Sequence, residues 1–369
     1  MVTHLWLRRA LAGLGAIALT ASLWGGLTRL GFALPAGTAR AVHGPVMVLG
    51  AIGTLVALER AVALARPSAY VAPAASGIGA LVLLAGGPYA LGKGLLGAAG
   101  VGLVAVFVHL YRRQPEVHFI VMGLGAVLWP AAVAVWAVTG QVPRATPWLV
   151  GFLVLTIVGE RVELSRLSQP TPAARTALLA TIGLFVAGLL VGLAMPAAGV
   201  RIAGVSLLSC GVWLVRHDLA PRLSRRDGAT RFVGLTLTTG YVWLIVAGAL
   251  WLWAANATGG PTYDAAVHAV FLGFVMSMIF GHAPVILPAV LRVSVPFHPA
   301  LYLPVALLHA TLAVRVAGDL FGAHVLVRWG GVGNIVAVVG FLATVAITAA
   351  VRRAQHSSSR QMSSRRLRN

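Results

Sequence analysis

Charge is what this chain has least of. Only 10% of its 369 residues are Asp, Glu, Lys or Arg, and only eight are acidic. A soluble domain carries about 25% charged residues. With 59% hydrophobic residues and a mean hydropathy of +0.90, the apolar surface exceeds what a larger core would absorb. A soluble globular class is excluded, and lipid is the solvent. Cysteine is nearly absent as well. The single Cys210 rules out an intramolecular disulfide and a Cys-cluster metal site, and its setting in SLLSCGVWLV reads as a buried structural thiol. The chain also lacks a phosphate-cradling Gly loop with Lys, a zinc-protease helix, a Cys–His nucleophile pair and a dinucleotide fingerprint. Its longest polar connection, RHDLAPRLSRRDGATR at 216–231, is too short to be a soluble domain.

Long apolar runs fill the rest. A helix needs about 20 apolar residues to cross the hydrocarbon. That ruler gives twelve candidates, at 10–34, 44–65, 72–91, 94–111, 117–139, 146–164, 174–196, 199–216, 231–255, 264–291, 298–320 and 329–351. They must be helices, because an unpaired backbone group does not survive in lipid. The first run follows Arg8 and Arg9 as a signal peptide would, but it is long for an h-region and reads as an uncleaved span. The expected fold is an all-α polytopic bundle. Its transmembrane domain covers 1–351, and a basic, Ser/Arg-rich tail covers 352–369.

The sparse charge is distributed unevenly. With the N-terminus inside, twenty-one of the 28 Lys and Arg fall on inner segments or the tail and seven on outer segments. This bias sets an N-in, C-in orientation. It also explains the net charge of +20 without nucleic acid. The tail, RRAQHSSSRQMSSRRLRN, has the composition of disorder and is expected to meet anionic lipid headgroups. Richness in Ala, Gly and Arg points to a GC-rich bacterium, hence to the inner membrane.

An ionisable group at membrane depth is costly and is a functional candidate by default. His43 lies just ahead of the second span, with Pro45 suited to its first helical turn. His268 lies about a turn inside the tenth. Even-numbered spans run the same way, so both reach similar depth near the outer face. Two imidazoles at one level on different helices are what axial ligation of heme iron requires. The plainer alternative for His43 is a helix-capping or interfacial residue. His282, fourteen residues below His268, faces nearly the same way about 21 Å deeper. Pro284 and Pro288 are each expected to break the helix near it. With His118 or His309, His282 is a candidate second metal site of neutral imidazoles, against the alternative of histidines bonded to neighbouring helices. Glu160 and Glu163 share a helix face and are expected to pair with Arg. Arg315 and Asp319, four apart, read as a local ion pair or as an anchor for an acidic group such as a heme propionate. Gly50, Gly53, Gly273 and Gly281 favour close helix contact.

Several of these residues carry a family resemblance. His43, Met47 and Gly50, then His268 with Ala269, Gly281 with His282, and Val314-Arg315-Val316 resemble motifs of the NnrS family. Those are polytopic membrane proteins of about twelve helices that contain heme and copper and are tied to nitric-oxide stress. After Gly281 and His282 this chain reads Ala-Pro-Val where the family continues Thr-Gly-Arg. The resemblance implies heme held by His43 and His268, with Arg315 on a propionate, and copper or another metal at His282 with His118 or His309. Two other functions remain open from the residues alone. One is a secondary transporter built on a Pro-broken tenth helix. The other is a cofactor-free assembly protein.

Overall fold

The structure, a computed structural model, describes residues 5–35, 37–165, 170–254 and 258–366. Among them twelve helices are long and apolar enough to span a membrane, and there is no strand. They are numbered here α1 (Leu5–Arg29), α2 (Ala39–Leu64), α3 (Pro67–Leu84), α4 (Tyr89–Arg113), α5 (Val117–Thr139), α6 (Val142–Leu164), α7 (Pro172–Ala194), α8 (Pro196–His217), α9 (Gly228–Trp253), α10 (Pro261–Leu291), α11 (Pro299–Phe321) and α12, whose apolar part is His324–Ala354. An even number of crossings returns both ends of the bundle to one side. The helix of α12 runs on to Arg366, into the tail for which composition predicts disorder. Extending a nucleated helix adds one hydrogen bond per residue fixed. Residues 367–369, the end of that tail, lie outside the described residues.

Consecutive helices pack as antiparallel neighbours, α5 on α6, α8 on α9 and α11 on α12 above all, as short connections require. Burial separates centre from rim. In α2 and α6, 67% of the most apolar window is buried inside the protein, and in α10 56%, against 28% for α1 and α7. The rim helices keep their apolar faces for lipid. The central ones must satisfy any polar group against each other. α10 meets α1, α2, α6, α9 and α11, so its side chains reach more of the bundle than those of a rim helix.

Two central helices share an irregularity. α2 is α-helical over Ala39–Pro45, π-helical over Val46–Gly53 and α-helical again from Thr54. α10 is α-helical over Pro261–His268, π-helical over Ala269–Val275 and α-helical from Met276. Each π segment carries a glycine under a neighbour. A Cβ on Gly53 would fall 2.7 Å from Trp129 of α5, and one on Gly273 would fall 2.5 Å from Trp243 of α9. π segments are rare and cluster at functional sites.

Two expectations are corrected. Pro45 is not in the first turn, because α2 starts at Ala39. Ala39 and Arg40 are good helix formers and extend the helix ahead of His43. Pro284 and Pro288 do not break α10, which is helical through both to Leu291. Each proline removes one intrahelical bond, a loss that packed membrane helices tolerate.

Candidate functional site: a two-histidine cavity

His43 stands in the first turns of α2, three residues before its π segment, and His268 immediately precedes that of α10. The start of α2 is tied down from outside. Thr38 does not cap it, and its hydroxyl instead donates to the Leu84 carbonyl at the end of α3, at 2.6 Å. α1 closes over His43 through a Gly pair. A Cβ on Gly25 would collide with the Ala39 carbonyl, and one on Gly26 would lie 3.3 Å from His43 Cε1.

Both imidazoles are held through Nδ1 by a backbone carbonyl, and His268 Nδ1 also lies 3.4 Å from Asp264 Oδ1. His43 Nδ1 lies 2.6 Å from the Ser22 carbonyl oxygen of α1. His268 Nδ1 lies 2.8 Å from the carbonyl oxygen of Asp264, one turn earlier in its own helix. A carbonyl only accepts, so each Nδ1 carries the hydrogen, and the lone pair of the neutral form of each ring is on Nε2. Neither Nε2 has a hydrogen-bond partner among the described residues. Metal-ligating histidines usually have one nitrogen fixed by a carbonyl or carboxylate and the other free.

The two rings line one cavity of about 440 Å³, within the ordinary range of ligand pockets, about 300–1,000 Å³. Its deeper wall is apolar, with Ile52, Leu149, Met276 and Val338, and Met47 lies one turn below His43. Its outer part is ionic. Arg315 Nε and Nη2 donate to Asp264 Oδ2 at 3.0 and 2.7 Å. The expected local pair of Arg315 with Asp319 is therefore corrected: the guanidinium reaches across to α10. This leaves Nη1 with no protein acceptor among the described residues, beside the bare Cα of Gly331. Arg29 and Asp319 line the same end. Asp319 Oδ2, and Asn334 Oδ1 further in, are buried without a hydrogen-bond partner among the described residues.

The inner half of α10 differs. His282 Nδ1 also bonds one turn back, to the Met278 carbonyl at 2.7 Å, but its Nε2 faces Arg161 Nη1 of α6 at 3.3 Å. A guanidinium only donates, so the lone pair of His282 is occupied. Arg161 also donates from Nε and Nη2 to the two oxygens of Asp218, at 3.0 and 2.8 Å. Asp218 accepts from the Tyr241 hydroxyl at 2.9 Å and from the Ala220 backbone N–H at 2.8 Å as well. Arg60 bridges Glu59 and Glu160 alongside. His118 Nε2 lies 4.0 Å from Glu163 Oε2. His309 Nδ1 accepts from Trp243 Nε1 at 3.1 Å, which puts its hydrogen on Nε2. Thus His282, His118 and His309 have three different partners. Among the described residues no group of three or more His, Cys, Asp or Glu is placed to hold a metal ion. Glu160 pairs with an Arg as expected, though on another helix, whereas the ion pair of Glu163 is with His118 of α5.

A family model described as a domain of unknown function, DUF8744, matches residues 8–351. The chain belongs to that family. No curated protein and no solved structure matches it. For this DUF8744 member the residues that sequence reasoning passed over are Asp264, Asn334 and the two π segments. Asp264 had a signal, since it precedes His268 by one turn and so shares its helix face.

Proposed function

We propose that this multi-pass membrane protein binds heme, whose iron His43 and His268 would hold through Nε2, and that it serves nitric-oxide or respiratory stress in a bacterial inner membrane. The observation that carries the reading is the pair of imidazoles on separate helices, each anchored through Nδ1, each with a free Nε2 lone pair, lining one cavity. The apolar inner wall suits a porphyrin. Arg315 Nη1, with Arg29 at the outer end, suits the propionates. The resemblance to the NnrS family supports the same ligands. Bound heme would supply one-electron chemistry. This chain's part is to orient the two imidazoles through Ser22 and Asp264, to hold the carboxylates outward and to keep the inner wall dry. Arginines of the inner loops and of the tail at 352–369 would rest on anionic headgroups, at about 1 kcal/mol each near the surface.

The test is an absorption spectrum of protein purified from heme-replete cells. A Soret band is expected, lost in His43→Ala and in His268→Ala and kept in His282→Ala. A colourless wild-type preparation overturns the reading. A secondary transporter is the second reading, favoured by a cavity in the outer half over an inner half closed by the Arg161–Asp218 network. Its irregular element would be the π segment of α10 rather than a proline break. Substrate uptake by heme-free proteoliposomes, lost in His268→Ala, would select it.

A further inference from the structure

A second cavity, of about 530 Å³, lies in the outer half of the bundle between α5 and α10. It is built unlike the first. Its walls are apolar side chains such as Val135 and Leu189, together with the indoles of Trp148 and Trp251, and Arg144 stands at its outer end. One wall is α7, a rim helix with 28% of its apolar window buried, so this is the side of the cavity nearest to lipid. The two cavities adjoin. Pro143, Thr146, Tyr263 and Val267 line both. Between them stands a hydrogen bond of 2.7 Å joining the Thr146 and Tyr263 hydroxyls, in which either oxygen can donate.

We propose that this cavity binds a lipid-soluble quinol, which passes electrons to the heme across the Thr146–Tyr263 partition. The proposal rests on the heme reading for the redox step, though not for the binding. A heme that cycles between oxidation states needs an electron source. One cysteine excludes an iron–sulfur cluster of the chain's own, so electrons enter from a partner. A quinol has an apolar body and two hydroxyls on one ring. That matches a cavity with apolar walls and, on the side facing the histidines, a bonded Thr146–Tyr263 hydroxyl pair that can meet one of the two quinol hydroxyls. The step balances. A quinol oxidised to the quinone releases two electrons and two protons. Each electron reduces one ferric heme to ferrous, so one quinol serves two heme equivalents, and the protons leave at the outer, Arg144 end.

The experiment uses the purified full chain in detergent. Decylubiquinone is titrated while tryptophan fluorescence is followed, and decylubiquinol is then added without oxygen while the Soret band is followed. The expected results are saturable quenching, reduced at least twofold in the Trp148→Phe, Trp251→Phe double variant, and reduction of the heme. Leu189→Trp, which fills the cavity, should abolish quenching and slow heme reduction at least tenfold with the ferric Soret band unchanged. Gly192→Leu, on the same wall, gives the same result if the first variant fails to fold. Wild-type protein with its Soret band intact that is neither quenched nor reduced faster than these variants overturns the proposal. Colourless protein that is still quenched leaves the quinone site standing and overturns the heme reading. Colourless, unquenched protein overturns both.

Discussion

His268 and His282 occupy one helix, fourteen residues apart, and each bonds its Nδ1 to the carbonyl four residues earlier. Their own helix anchors both rings through that carbonyl, and only His268 has a carboxylate as well, Asp264 Oδ1 at 3.4 Å from Nδ1. The neighbouring helices set them further apart. Beside His268 the bundle leaves a cavity, and Nε2 is free. Beside His282 stands Arg161, and the lone pair is used. The carboxylates repeat the contrast. The Asp218 side chain is 0% exposed and its partner Arg161 4%, whereas the Asp264 side chain is 31% exposed and Arg315 10%. The inner end is a closed polar network and the outer end an open site. Whether a membrane histidine is available for chemistry is decided by the helix across from it rather than by its own.

The largest effect should come from opening the closed end. Asp218→Ala leaves Arg161 buried without its counter-charge, and it strands the Tyr241 hydroxyl and the Ala220 N–H. Breaking a buried ion pair from one side costs about 3–5 kcal/mol. The expected outcome is a collapse of the monodisperse peak in gel filtration and a much lower unfolding midpoint in detergent. A variant as stable as wild type would show that water reaches this network.

Next in size is overpacking at the open end. Gly26→Val puts a branched side chain where a single Cβ already lies 3.3 Å from His43 Cε1. Inserting methyl groups into packed surroundings costs about 1–3 kcal/mol. Here part of the strain is expected to appear as displacement of the ring, because His43 borders a cavity it can move into. The unfolding midpoint should fall modestly, and the Soret band of the proposed heme should shift or weaken. An unchanged spectrum with a lowered midpoint would mean that α1 yields and His43 does not.

The histidines themselves separate the two ends by a sign of behaviour. His268→Ala removes a ring that stands against a cavity, so heme should be lost, while the stability of heme-free protein should change little against heme-free wild type. His282→Ala removes the acceptor of one Arg161 hydrogen bond, and bonds to charged groups are worth about 1.5–3 kcal/mol. Stability should fall while heme is kept. The opposite pairing of outcomes would exchange the roles assigned to the two ends.

The crossings were legible because one length rule governs them all. The first was placed at 10–34, whereas α1 ends at Arg29. Gly31, at φ +83°, stops the helix while the apolar composition continues past it. From the parity of the spans, His43 and His268 are expected at similar depth. That they line one cavity does not follow from it, since adjacency of helices leaves no trace in a single sequence. π segments were hidden for a related reason: a change from i+4 to i+5 bonding alters no composition. Sequence spacing offers Arg315 either Asp319, the carboxylate one turn along, or an acidic group from outside the chain. Its actual partner, Asp264, is 51 residues earlier in the chain, and only packing of α10 on α11 brings the two together.

The smallest effect repeats the first substitution in kind, at the other end. Asp264→Asn removes the charge that faces Arg315, as loss of Asp218 does for Arg161. Here the guanidinium borders a cavity and has Asp319 on the same wall. Partly exposed pairs are worth about 0–1 kcal/mol, so the unfolding midpoint should move by far less than in Asp218→Asn made alongside. The His268 anchor should survive, since its Nδ1 bonds to the backbone carbonyl of residue 264, which Asn retains. A loss at Asp264 as large as that at Asp218 would mean that the outer cavity is as dry as the inner network, and the division of α10 into an open and a closed end would fall.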